Sequence, residues 1–89
     1  MMKVIKQDGT EEPFTLKKVY QTVYSACINS HLSKAYSKKI ADKVTKDIKK
    51  FVKGKNTIKS QKLFQEIAKT LKKNDYDAAF LYATHRDVS

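Results

Sequence analysis

The chain is 89 residues long, which is enough for one small domain with a modest buried core. Its 19 Lys and Arg outweigh its 9 Asp and Glu, and the resulting net charge of +10 favours anionic partners such as nucleotides, nucleic acids or acidic surfaces. The single cysteine excludes a disulfide framework and a thiolate-rich zinc site, and no apolar run reaches the roughly 18 residues of a membrane-spanning helix.

The first stretch of the chain predicts a β-hairpin followed by a helix. Val4 and Ile5 favour a short strand, and Asp8-Gly9 favours a two-residue type I′ turn because both residue types tolerate positive φ angles. Pro13 ends the return strand, since it has no backbone N–H to donate. Thr15 is a suitable N-cap, so the helix is predicted to begin at Thr15 or Leu16.

Two amphipathic helices are predicted next. The first carries an apolar stripe at spacings of three and four residues: Leu16, Val19, Tyr20, Val23, Tyr24, Cys27 and Ile28. Periodicity is lost over residues 29–36, which are predicted as a loop, and Ser37 is predicted to cap the second helix. The stripe of that helix is Ile40, Val44, Ile48, Phe51 and Val52. Gly54 follows the last periodic residue and predicts the helix end.

The last third of the chain predicts a short strand and two more helices. Residues 57–59 favour a third strand beside the hairpin, because Thr57 and Ile58 are β-branched. Ser60 begins a third helix, which breaks at residues 72–75, and a fourth is predicted from Tyr76 to Arg86. The residues predicted to face inward are Leu63, Phe64, Ile67, Leu71, Ala79, Phe80, Leu81 and Tyr82. The predicted fold is therefore α+β: one domain over residues 1–89, with a four-helix bundle capped by a small three-stranded sheet.

Four polar side chains are predicted to converge where the hairpin meets the first helix. Lys6 and Gln7 end the first strand, Glu12 lies on the return strand, and Lys18 lies on the first turn of the helix. Ammonium groups near a helix N-terminus suit a phosphorylated ligand. The alternative is an ordinary hairpin with solvated lysines, in which Glu12 merely forms an exposed ion pair worth about 0–1 kcal/mol.

Other candidate chemistry is weak. His31 and His85 lack partners at metal-ligand spacing, and Cys27 lies on an apolar stripe, which is typical of a core residue. The chain has no Ser-His-Asp arrangement, no paired-carboxylate pattern and no phosphate-binding Gly-rich loop. The sequence therefore predicts a binding module and not an enzyme.

The hairpin stretch also resembles a known family. It reads V-x-K-x-D-G-x-x-E-x-F from Val4 to Phe14 and continues with Leu16, Lys18 and Val19. A looser match, A-x-x-Y-x-x-x-R, runs from Ala79 to Arg86. These motifs are similar to those of the ATP-cone, a small nucleotide-sensing domain of ribonucleotide reductase large subunits and of the repressor of their genes. Together they bracket nearly the whole chain.

The resemblance implies a ligand and a set of contacts. In ATP-cones the nucleotide, ATP or dATP with Mg²⁺, lies between the hairpin and the helices below it. The corresponding nucleotide-binding positions here are Val4, Ile5, Lys6, Gln7, Glu12, Lys18, Ser60 and Phe64. Gln7 stands where the family usually has arginine, and Phe64 stands where some members have a polar residue such as histidine.

The function implied by the resemblance is allosteric regulation of a ribonucleotide reductase. Binding of ATP or dATP would control activity through subunit association, with a reductase catalytic domain or subunit as partner and a nucleotide-dependent oligomer as a further expectation. The absence of a signal-peptide core from the basic N-terminus predicts a cytoplasmic location without membrane association.

The alternative is a nucleotide-responsive DNA-binding transcriptional regulator or a basic nucleic-acid-binding module, which the net charge of +10 favours. Against it, the related repressors carry a zinc ribbon with four cysteines, and this chain has one. Arg86 is its only arginine, whereas arginine is the preferred side chain for reading guanine. A structural protein without a ligand is the third possibility.

Overall fold

The computed structural model describes residues 2–84 and contains a three-stranded sheet and four helices. In chain order the elements are β1 (Lys3–Ile5), β2 (Glu11–Pro13), α1 (Leu16–Asn29), α2 (Lys34–Val52), β3 (Thr57–Lys59), α3 (Ser60–Asn74) and α4 (Tyr76–Thr84). The α+β class, the four helices and the third strand are confirmed. The part of the last predicted helix that includes His85 and Arg86 lies outside the described residues.

The sheet has the order β2-β1-β3, so the strand that begins the chain lies in the middle. β1 pairs with β2 in the antiparallel sense and with β3 in the parallel sense. Val4 lies opposite Glu12 on one side and Ile58 on the other. Val4 and Ile58 are buried, and this places the face of the sheet that carries even-numbered β1 residues against the helices.

The hairpin turn differs from the predicted type I′ turn. The Lys6 N–H donates to the Thr10 carbonyl at 2.8 Å, and the Gly9 N–H donates to the Lys6 carbonyl at 2.9 Å. Gly9 has φ +90°, but Asp8 does not have a positive φ angle, so the loop consists of residues 7–9, with the left-handed residue last. The Asp8 carboxylate accepts hydrogen bonds from the Thr10 N–H at 3.0 Å and from the Thr10 hydroxyl at 2.7 Å. These two bonds stabilise the three-residue loop.

The first helix begins at Leu16, as predicted. The Thr15 hydroxyl accepts a hydrogen bond from the Lys18 N–H at 3.2 Å. At the other end, His31 adopts φ +69°, and the Leu32 N–H donates to the Cys27 carbonyl at 3.2 Å, so the helix ends in a Schellman motif.

The prediction that Ser37 caps the second helix is wrong. α2 begins at Lys34, and the Ser33 hydroxyl accepts from the Tyr36 N–H at 3.2 Å. The Schellman motif reverses the chain so quickly that only residues 30–33 separate α1 from α2, and Ser33 reaches the cap position first. Ser37 is instead buried one turn before Ile40. α2 ends at Val52, followed by Gly54 at φ +83°, as predicted.

The core lies between the four helices. Its fully buried members include Val23 and Cys27 of α1, Val44 and Ile48 of α2, and Leu71 of α3. Half-buried aromatic and aliphatic side chains pack around them: Phe14, Tyr20, Tyr24, Leu32, Val52, Leu63 and Tyr82. Within residues 2–84 no helix combines the length and the apolar character needed to cross a membrane.

The fourth helix packs through small side chains. Ala78 and Ala79 are buried, which lets α4 approach α1 and α3 closely. The prediction that Phe80 faces inward is wrong, because its side chain is 60% exposed. One residue further along a helix is about 100° of rotation, so burial of Ala78 and Ala79 turns Phe80 toward solvent. Asp75 caps α4, with its carboxylate accepting from the Ala78 N–H at 3.0 Å.

Candidate functional site

A cleft of about 960 Å³ lies between the hairpin, α1, the start of α3 and the end of α4. It contains all the sequence-predicted site residues except one: Val4, Lys6, Gln7, Glu12, Lys18, Ser60 and Phe64 line it. Ile5 does not, because successive side chains of a strand point to opposite faces and Val4 takes the inward one. The sheet register therefore brings residues from three separate parts of the chain to one cavity.

Three of these side chains form a group that we call the charged clasp: Lys6, Glu12 and Lys18. The Glu12 carboxylate lies between the two ammonium groups, with its Oε2 atom 3.4 Å from Lys6 Nζ and its Oε1 atom 3.5 Å from Lys18 Nζ. One carboxylate thus pairs with a cation from the hairpin and a cation from the first turn of α1.

The register of the hairpin explains the clasp. Glu12 lies directly opposite Val4, so both point to the helix side of the sheet, and Lys6 follows Val4 on that same face. The ion pair between Lys3 and Glu11, at 3.7 Å, involves odd-numbered residues and belongs to the other face. Lys18 completes the clasp because the Thr15 cap fixes where the first turn of α1 begins.

The clasp is open to solvent. The side chain of Glu12 is 32% exposed, that of Lys6 is 42% exposed and that of Lys18 is 67% exposed. Ion pairs in such surroundings contribute about 0–1 kcal/mol each, so an anionic ligand can replace them at little cost in free energy. Next to the clasp, the two Thr10 hydrogen bonds lower the pKa of the Asp8 carboxyl.

The N-termini of two helices border the same end of the cleft. Thr15 and Lys18, at the start of α1, line the cleft, and so does Ser60, the first residue of α3. Neither helix has an acidic residue in its first turn, and α3 has no side-chain cap. The positive ends of both helix dipoles therefore add to the field of the two lysines and favour a bound anion.

Sequence reasoning missed a polar stripe on α1. Thr22, Ser25 and Asn29 line the cleft beyond Lys18, at spacings of four, three and four residues. The same helical periodicity that revealed the apolar stripe contains this polar one, so the signal was present in the sequence. The stripe provides hydroxyl and amide groups along the floor of the cleft.

The end of the cleft away from the clasp is apolar and aromatic. Phe64 of α3 stacks on Tyr82 of α4, with ring centroids 5.0 Å apart and planes 15° apart. Leu63, Ile67 and Leu81 complete this wall. A ligand that fits the whole cleft carries negative charge at one end and a flat, largely apolar group at the other.

The potential metal ligands and the single cysteine are the remaining reactive side chains of the described residues. Within residues 2–84, no three His, Cys, Asp or Glu side chains are grouped to hold a metal ion. Cys27 is buried, as predicted, and its burial, together with the charge of Asp75, raises the pKa of its thiol to about 11. The thiol therefore stays protonated and serves as a small apolar side chain of the core.

Comparison with protein families identifies a match over nearly the whole chain. The family model described as the ATP cone domain matches residues 2–88. No curated protein matches the sequence significantly. The family match covers the hairpin, all four helices and the cleft between them.

Proposed function

This chain belongs to the ATP-cone family of nucleotide-binding allosteric regulatory domains, and we propose that it binds ATP and dATP in the cleft beneath its hairpin. The observation that carries the proposal is the charged clasp of Lys6, Glu12 and Lys18 beside two helix N-termini. These groups supply the cations and backbone dipoles that a triphosphate requires. The proposed nucleotide contacts are Val4, Lys6, Gln7, Glu12, Lys18, Ser60 and Phe64. Ile5 lies in the same strand as Val4, with its side chain on the face of the sheet away from the cleft.

The proposed orientation of the nucleotide follows from the two unlike ends of the cleft. The phosphates lie against Lys6 and Lys18, and the base lies toward the wall formed by Phe64 and Tyr82, where a flat ring finds aromatic surface. The ribose then lies over the polar stripe of α1, within reach of side chains such as Thr22. Gln7 contacts the phosphates as a neutral donor, so it contributes less than a charged group would.

Glu12 has a specific part in this proposal. In the structure its carboxylate occupies the position between the two ammonium groups that a phosphate would take. Phosphate binding would exchange the carboxylate for the more highly charged ligand and free Glu12 for a hydroxyl of the ribose. The displaced side chain would link nucleotide binding to a change at the hairpin, which is the kind of two-state element that allosteric control requires.

Mg²⁺ is expected to accompany the triphosphate. Magnesium is commonly bound by substrate phosphates together with only one or two carboxylates. Asp8, whose side chain lines the cleft next to the clasp, is the carboxylate that would remain near the proposed phosphates once Glu12 has turned to the ribose. The residues therefore fit a metal that arrives with the nucleotide.

We further propose that the domain regulates a ribonucleotide reductase in the cytoplasm. ATP and dATP differ by one ribose hydroxyl, so they would stabilise different arrangements of the hairpin and thereby change how the domain associates with catalytic subunits. Catalysis would belong to those subunits. The family match supports the regulatory role. That the regulated enzyme is a ribonucleotide reductase is our further proposal.

Calorimetric titration of the domain with ATP, dATP and GTP in magnesium buffer tests the proposal. We expect saturable binding of ATP and dATP and weaker binding of GTP. A short random DNA duplex serves as the control for the net charge of +10. Salt-sensitive binding to the duplex without nucleotide binding would contradict the proposal and favour a nucleic-acid-binding module instead.

A further inference from the structure

A second concave surface lies on the other side of α3, away from the charged clasp. It is a groove of about 440 Å³ between α3 and α4, lined mainly by apolar side chains, and we call it the Phe80 groove. Its lining residues are Phe64, Gln65, Ala68, Lys69, Lys72, Tyr76, Ala79, Phe80 and Ala83.

Two large aromatic side chains are left in solvent at this groove. Phe80 is 60% exposed and Tyr76 is 64% exposed, which makes them the most exposed large apolar side chains among residues 2–84. They are four positions apart on α4 and so lie on one face of the helix. Adjacent exposed aromatic residues are typical of protein-binding surfaces, where they act as anchors.

Among the residues that the structure describes, the charged side chains that line the groove are both lysines. Its charged lining residues are Lys69 and Lys72, and Lys72 Nζ lies 5.6 Å from the centre of the Tyr76 ring. A second copy of this chain would bring another net charge of +10 toward these lysines, which opposes self-association. The complementary occupant is an acidic surface with apolar side chains at its centre.

One side chain belongs to both concave surfaces. Phe64 lines the nucleotide cleft and also the Phe80 groove, and it stacks on Tyr82, which lines the cleft. A ligand that moves the Phe64 ring from the cleft side therefore changes the wall of the groove. Because the Phe64 ring stacks on Tyr82, a ligand that displaces it would shift this aromatic pair, which lies in the wall between the two surfaces.

We propose that the Phe80 groove is a docking site for an acidic amphipathic helix of a partner protein, and that nucleotide in the cleft alters its affinity through Phe64. The partner helix places apolar side chains on Phe80 and Tyr76 and carboxylates beside Lys69 and Lys72. The coupling part of this inference rests on the proposed nucleotide site, whereas the docking part does not.

The test uses the whole domain and a synthetic stapled helix with leucines along one face and glutamates on either side of them. Fluorescence anisotropy measures its affinity with and without ATP. We expect Phe80→Ala to weaken binding at least about tenfold, because truncating a central anchor typically has that effect. The double variant K69E/K72E should weaken it several-fold, and a helix with lysines in place of glutamates should not bind. Tyr36→Ala is the matched control, because Tyr36 is an aromatic residue of α2 that is 43% exposed and lies outside the groove.

ATP is expected to change the affinity for the acidic helix by about fivefold or more, and the helix should change the affinity for ATP by the same factor. Binding that survives Phe80→Ala, or equal binding of acidic and basic helices, would overturn the docking site. Self-association that Phe80→Ala abolishes, without helix binding, would also overturn it in favour of a second copy of the chain.

Calorimetry with ATP separates the two proposals: helix binding through Phe80 in a protein that does not bind ATP supports the docking site and refutes the nucleotide site. ATP binding that leaves helix affinity unchanged refutes the coupling.

Discussion

The helical interior and the hairpin end of the cleft contrast in both composition and exposure. Val23, Ile48 and Leu71 have no exposed surface and belong to the hydrophobic core, whereas the clasp of Lys6, Glu12 and Lys18 is solvent-exposed and held by ion pairs. Burial makes the interior the source of folding free energy, and exposure leaves the clasp available to a ligand. Stability and ligand affinity should therefore respond to different substitutions.

The largest effect is expected in the interior. Ile48→Ala removes the largest of the fully buried side chains and should lower the free energy of unfolding by about 2–5 kcal/mol, from lost burial and the cavity left behind. Urea denaturation followed by circular dichroism measures this change. Ile48→Val is the matched control and should cost about 0.5–1.5 kcal/mol. The folded fraction of each variant should keep its ATP affinity, and a loss of affinity in that fraction would show that the two regions are not separable.

The pH dependence of stability tests the interior in a second way. The pKa of the Cys27 thiol is raised from 9.0 to about 11 by burial, so the unfolded chain loses this proton at lower pH than the folded one. The corresponding stability is complete below pH 9 and is lost as the pH rises through 11. At about 1.4 kcal/mol per pKa unit, the loss is about 2–3 kcal/mol.

Cys27→Ala is the control for this measurement, because the lysines also titrate in alkaline solution. Urea denaturation of both proteins below pH 9 and near pH 11 gives the change in the free energy of unfolding with pH for each. That change should be smaller for the variant. Identical changes would mean that the thiol ionises equally easily in both states.

Substitutions in the clasp should change ligand affinity and leave stability nearly unchanged. Lys6→Ala and Lys18→Ala should each weaken ATP binding about tenfold, because each removes a charged phosphate donor and leaves Glu12 facing the ligand. Isothermal titration calorimetry measures the affinities. Lys49→Ala on α2 is the matched control, since Lys49 is exposed and lies outside the cleft. Equal affinity in all three variants would refute the proposed site.

The smallest effect is expected from Glu12→Gln. This change keeps the shape of the side chain and removes the charge that competes with phosphate, so affinity for inorganic tripolyphosphate should rise by up to about fivefold. Preference for ATP over tripolyphosphate should fall, because the carboxylate proposed to reach the ribose is gone. Competition between the two ligands in calorimetry measures both quantities. Weaker tripolyphosphate binding would show that Glu12 organises the lysines and does not compete for them.

The sequence predicted the elements whose signals are local. Thr15 caps α1, Gly54 follows the end of α2, and Ser60 begins α3 directly after the third strand, as expected. Each signal depends on a side chain and the backbone within a few residues of it, so it is readable without the rest of the fold. The hairpin itself was also predictable, although Thr10 hydrogen bonds to Asp8 selected a longer loop than the dipeptide suggested.

Predictions failed where two local signals competed or where packing decided the outcome. Ser33 and Ser37 are both plausible caps, and the tight Schellman reversal at His31 selected the first. Phe80 appeared apolar enough for the core, but the buried alanines of α4 fixed the rotation of that helix. A choice of this kind depends on the neighbouring helix, which single-sequence periodicity does not specify.

By itself the sequence determined the fold class, the starts of α1 and α3 and the position of Lys18 on the first turn of α1. Only the tertiary structure decided that Glu12 lies between Lys6 and Lys18, that a polar stripe of α1 faces the same cleft, and that Phe64 separates this cleft from a second groove. The physical reason is the sequence distance over which the interactions act. Caps and stripes depend on interactions within a turn or two of helix, whereas the clasp depends on the register of β1 against β2 and on the placement of α1 beneath them, which the packing of the whole core fixes.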